Sequence, residues 1–193
     1  MRNRVRRTIR SGPTPRRRQT PRTHLEAWAR RIPLVHAALR GVTTGPPVGV
    51  ASHRDLAEAL EGVIDAQDRS HVWLTLAVLT GRFPDRTTVV EVARSCEFDK
   101  GDSLWQAVAD LTTDESAAWQ VRMATHEVLV DVAHTASTVL TTGIQRVARE
   151  TTRRWLRDHD CTPVSWSRDF QSLRELTAFE QMRIVTNAAR TNS

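Results

Sequence analysis

Apolar residues recur along this chain with two periods, and the change comes near residue 119. Upstream the period is helical. Leu56, Ala59, Leu60, Val63 and Ile64 fall at i, i+3, i+4, i+7 and i+8 behind Ser52-x-x-Asp55, which predicts a capped helix over 52–64. Asp85 opens a second helix through Val89, Val90, Val92 and Ala93. A third runs from Ser103, with Leu104, Ala107, Val108 and Leu111 on one face. Between them HVWLTLAVLTG, 71–81, is apolar on every side and ends in glycine, so it reads as a buried helix or a buried strand. A short helix is expected over Leu25–Arg31, interrupted at Pro33, and GVTTGPPVGV, 41–50, reads as a linker.

Downstream the period shortens. Trp119, Val121 and Met123 alternate with polar residues, predicting a strand with one wet face. EVLVDVA, 127–133, is β-branched and nearly continuous, the pattern of a strand covered on both faces. The loop HTASTVLTT leads to a helix from Gly143 to about His159. Ile144, Val147, Ala148, Thr151 and Trp155 form its expected inward stripe, with Gln145, Arg146, Arg149, Arg153 and Arg157 outside or beside it. TPVSWS, 162–167, reads as another strand and QSLRELTAFEQM, 171–182, as a last helix. Strand, loop, helix, strand is a βαβ unit and implies a parallel sheet. The expected organisation is therefore α/β: a basic arm over 1–45, a helical block over 46–118 and a partial βαβ domain over 119–193.

Charge sharpens the first boundary. The net charge of +6 is unevenly placed: residues 1–40 hold 12 arginines against Glu26 alone, leaving 16 basic and 21 acidic groups for the rest. The basic character belongs to an arm. Its like charge and prolines predict disorder over 1–24, and it permits contact with nucleic acid or an anionic membrane surface while selecting neither. A non-enzymatic basic-arm protein is thus the alternative to any catalytic reading. Lys100 is the sole lysine and tyrosine is absent, a compositional bias that discounts any single arginine as a chosen guanidinium. Cys96 and Cys161 lie far apart without ligand-spaced neighbours, which argues against a zinc site or a disulfide scaffold. No apolar run nears the roughly 20 residues of a membrane span, and no apolar segment follows the first arginines as in a secretion signal; a cytoplasmic protein is expected.

Candidate chemistry gathers after EVLVDVA. In open α/β sheets ligands bind beyond the carboxyl ends of strands, where helix N-termini present free N–H groups. Gly143 would let backbone approach an anion there, and Arg146 or Arg149 would add charge-assisted bonds. The competing reading is a capped helix with a solvated arginine face, since neither a G-x-G-x-x-G nor a Walker pattern is present. Asp131 reads as a hydrogen-bonded structural acid. His126 and Glu127, adjacent in a strand, would point to opposite faces and share no metal. Ser165 and Ser167 lack a G-x-S-x-G context. No catalytic residue and no metal site is assigned.

Three stretches carry a resemblance: Val130-Asp131-Val132, then TGIQRVAR from Thr142 to Arg149, then Pro163-Val164 and Trp166. Together, 128–167 resembles the start of bacterial glycosyltransferases of the two-Rossmann-domain (GT-B) architecture. The preceding helical block resembles the N-terminal extension of actinobacterial members. The resemblance implies a Rossmann-like fold for 119–193, a nucleotide-sugar donor, a saccharide or lipid-linked glycan acceptor, and no resident cofactor. It also implies that the first βα loop, with His134, Thr142, Gly143, Gln145, Arg146 and Arg149, faces the cleft. The sequence departs from the family by carrying no second Rossmann domain and no E-x7-E donor motif. Two parallel strands cannot bury both sheet faces. The chain is therefore expected to be truncated and inactive alone, or to complete its sheet with a second polypeptide. Peripheral membrane contact through the arm is compatible with either.

Overall fold

A computed structural model describes residues 20–41, 53–60, 62–99, 101–138 and 142–185. The predicted arm over 1–19, most of the linker and Ser52 with its capping role lie outside the described residues. The chain is mainly helical with a small three-stranded mixed sheet. Among the described residues six helices come first: α1 (Arg22–Arg40), α2 (His53–Leu60), α3 (Arg69–Thr80), α4 (Arg86–Asp99), α5 (Asp102–Leu111) and α6 (Asp114–Ala118). Then follow β1 (Val128–Asp131), α7 (Ala133–Ser137), α8 (Gly143–Asp158), β2 (Cys161–Trp166), β3 (Leu173–Glu175) and α9 (Ala178–Val185).

The helical unit starts earlier than its sequence boundary of 46. Arg22–Arg40, assigned to the arm, is a continuous helix through Pro33. An interior proline costs about 3 kcal/mol. Trp28, Ile32 and Val35 of α1 are fully buried, each contributing about 1.5–3 kcal/mol, and together they outweigh it. Packing overrides the breaker.

HVWLTLAVLT is helical. Asp68 caps α3 by accepting from the Ser70 N–H at 2.7 Å, and Gly81 ends it at φ 72°. The all-round apolarity follows from its place against α1, α4 and α5, where Val72, Leu76 and Leu79 are fully buried. α2 ends at Leu60, so Val63 and Ile64 continue the period beyond the helix; Gly62, at φ 70°, turns the chain between them. Asp85 does open α4, accepting from the Thr88 N–H at 2.9 Å and its hydroxyl at 2.8 Å.

Trp119, Val121 and Met123 form no strand. They alternate half-buried with exposed neighbours, as a strand would, but lie against the helices: Met123 packs on the helical core, and Trp119 and Val121 flank Gly81. The alternation reports one-sided burial without a pairing partner.

β1 and β2 are parallel, from Val128 opposite Cys161 to Asp131 opposite Val164. β3 returns antiparallel to β2, with Ser165 opposite Arg174. This corrects the helix expected over 171–182: a strand occupies its first half, and α9 begins only at Ala178. β1 is not covered on both faces either. It is the edge of the sheet, with Val128 54% exposed and Leu129 exposed beside it. Phe83 joins the two halves: its N–H donates to the Gln171 carbonyl at 2.6 Å, and its ring stacks on Trp73 and meets Trp166 edge-on. Arg82 pairs with Asp169 at 2.9 Å alongside. Among the described residues no helix is long and apolar enough to cross a membrane.

Candidate functional site

The α8 N-terminus is a reciprocal cap. The Gln145 N–H donates to the Thr142 hydroxyl oxygen and the Thr142 N–H to the Gln145 side-chain oxygen, both at 3.4 Å. Thr142-x-x-Gln145 is a capping box in the sequence itself, and its spacing was the signal that Gln145 serves the helix. Gln145 is accordingly buried, not offered to a cleft. Gly143 is exposed, and a Cβ built there meets nothing within 4 Å, so the protein's own packing makes no demand for glycine. Arg146 is exposed. His134 is exposed in α7, where its carbonyl accepts from the hydroxyls of Ser137 (3.1 Å) and Thr138 (2.8 Å).

The rotation of α8 is the reverse of the apolar-stripe expectation. Gln145, Arg149 and Thr152 are buried, while Ile144 is 83% exposed and Val147 and Trp155 are exposed with it. Polar contacts on the inner side account for this: the Thr152 hydroxyl donates to the Ala148 carbonyl, and two arginines reach carbonyls of neighbouring elements. Trp155 consequently meets the His159 ring edge-on.

Arg149, 3% exposed, donates through Nη2 to the Thr138 carbonyl at 3.3 Å. Among the described residues its Nε and Nη1 are buried without acceptors. Arg183 of α9 donates to the two preceding carbonyls, Ala136 (3.0 Å) and Ser137 (3.1 Å). Two guanidiniums thus converge on the C-terminal end of α7. Arg153 follows on α8, bound to the Ile184 carbonyl at 2.9 Å and 3.6 Å from Glu150, with Nη2 also buried and unpartnered. Among the described residues neither Arg149 nor Arg183 has a carboxylate in ion-pair range. Leaving a buried donor unsatisfied costs about 1–3 kcal/mol. Arg183 was not read as a site residue, because α9 is brought to α7 only by the fold.

Asp131, at the carboxyl end of β1, accepts from the Ala133 N–H at 2.9 Å and the Trp166 indole N–H at 3.1 Å. It holds the strand's exit, a positioning role. Glu127 is not in a strand; it pairs with Arg122 and accepts from the Thr162 hydroxyl, which keeps its carboxyl below the ordinary range. Among the described residues no group of three or more His, Cys, Asp or Glu is placed to hold a metal ion.

No protein-family model, curated protein or solved structure matches the chain.

Proposed function

We propose that the chain is glycosyltransferase-like, with β1–α7–α8–β2 as the opening of a Rossmann-like GT-B domain in which the start of α8 contacts a nucleotide-sugar phosphate or its sugar. One observation carries the reading: among the described residues Arg149 holds two buried N–H donors without acceptors, beside Thr138 at the end of α7, the helix that follows the carboxyl end of the parallel strand β1. An anion there would satisfy them, and Gly143 leaves room for a ligand to approach the capped helix end. Of the expected cleft residues, Arg149, Gly143 and Arg146 keep a ligand role in this reading, joined by Arg183. Thr142 and Gln145 form the cap, and His134 is exposed on α7.

The remaining sheet would come from further polypeptide, packed on the open edge of β1 and the exposed Ile144, Val147 and Trp155 of α8. Transfer is not expected from these three strands alone. Titration of the full chain with uridine and guanosine diphosphate sugars is expected to give weak, phosphate-dependent binding, near the millimolar range of about −4 kcal/mol. Arg149→Met should abolish it, and Gly143→Ala should weaken it without loss of stability. Nucleotide-sugar binding that persists unchanged in Arg149→Met would overturn the assignment.

A further inference from the structure

A second site lies on the helical unit, away from α8. A groove of about 610 Å³ runs between the start of α3 and the start of α4, lined by Leu39, Trp73, Leu74, Pro84, Val89 and Val90. That volume lies within the 300–1,000 Å³ of ordinary ligand sites. Its surface is overwhelmingly apolar, yet Arg69, Arg86 and His71 also line it.

The two arginines are placed against their helices' interest. Each is the first residue of its helix, α3 or α4, where the macrodipole disfavours a cation by about 0.3–1 kcal/mol. Among the described residues neither guanidinium has an ion pair or a hydrogen bond. The preceding carboxylates, Asp68 and Asp85, do not line the groove. They turn to the helix backbones at Ser70 and Thr88, and those bonds hold both below the ordinary carboxylate range. His71 accepts the Asp65 N–H at 3.0 Å through Nδ1, with Nε2 3.9 Å from Asp68. An apolar trough with two unpaired cations on its wall is complementary to a chain with an anionic head. Trp73, stacked on Phe83 at 5.7 Å, presents a partly exposed indole at the same wall.

We propose that this groove binds a single-chain lipid anion, the aliphatic chain lying along Leu74, Val89 and Val90 and the headgroup meeting Arg69 and Arg86. The site stands independently of Arg149. The probe is dodecyl phosphate below its micellar concentration, titrated against the full chain with tryptophan fluorescence and calorimetry. Saturable one-to-one binding is expected. Val90→Asp should abolish it, and the double variant Arg69→Ser/Arg86→Ser should weaken it about tenfold. Inorganic phosphate and neutral dodecyl maltoside should each fail to compete.

Equal binding of the maltoside, equal binding of inorganic phosphate, no saturable binding of dodecyl phosphate, or an unchanged double variant would each overturn the proposal. Both arginines are exposed, so the double variant remains decisive if Val90→Asp fails to fold. Arg149→Met should leave this titration unaltered, which separates its outcome from that of the nucleotide-sugar reading.

Discussion

Arg31 of α1 donates to the carbonyl of Trp119, 88 residues away, at 2.7 Å, and so ties the first helix to the segment that enters the sheet. The same guanidinium donates to the carbonyls of Leu79 (2.7 Å) and Ser116 (2.6 Å), and burial, with Arg30 nearby, lowers its pKa to about 10. It stays charged at neutral pH and satisfies three chain segments at once. Arg31→Met would leave the Leu79 and Trp119 carbonyls without this donor, the Ser116 carbonyl still accepting from the Trp119 N–H at 3.2 Å, and is expected to cost about 3 kcal/mol in urea unfolding. Arg31→Lys, a point charge without the fork, should recover only part of that.

Arg149 carries the opposite expectation. Its side chain makes one hydrogen bond of 3.3 Å and buries two donors unmet. Replacing it by methionine removes those penalties at similar volume. Arg149→Met should therefore raise stability by about 1 kcal/mol while removing anion binding. A loss of about 1 kcal/mol in the same denaturation would show that the guanidinium serves the fold and not a ligand.

The α/β half should weaken in acid. Arg174 clasps Glu180 with two bonds of 2.7 Å, and these, with the Thr177 N–H and hydroxyl, lower the Glu180 pKa from 4.5 to about 2. A depressed folded-state pKa stabilises above the unfolded value and loses that contribution as pH falls from about 5 toward 2. Glu180→Gln should be less stable at pH 7 by on the order of 1 kcal/mol, a partly exposed pair being worth no more. The difference from wild type should shrink as pH falls below about 4.5 and vanish only below about pH 2. A constant difference across the range would exclude ionisation as its source.

The exposed stripe of α8 makes a separate forecast. Ile144→Glu with Val147→Lys alters only solvent-facing positions, so stability should stay within about 0.5 kcal/mol. Association with any polypeptide that completes the sheet should fall sharply, measured by sedimentation. Unfolding of this variant would mean that the stripe packs inside the chain.

Much of the architecture was legible in the residues alone. α4 and α5 were announced by acid or serine starts and i, i+3, i+4 spacing; the strand–helix–strand order of 128–166 was announced by β-branched runs either side of one long helix. The Thr142-x-x-Gln145 cap was missed, Gln145 being assigned to a cleft-facing loop, although both partners lie within one turn. Local sequence determines such features through interactions a few residues long.

What the tertiary structure alone decided involves partners distant in the chain. Pro33 is tolerated because Trp28, Ile32 and Val35 have a core to enter, and HVWLTLAVLT became a helix because three others surround it. Trp119, Val121 and Met123 show strand-like alternation without a strand, because no neighbour offers a ladder. The orientation of α8 was read from its apolar stripe and came out reversed: Arg149 and Arg153 lie on its inner side, where the Thr138 carbonyl after α7 and the Ile184 carbonyl of α9 each accept one of their hydrogen bonds. Periodicity states that a helix has two faces. Which of them turns inward depends on hydrogen-bond partners that only the folded chain brings within reach.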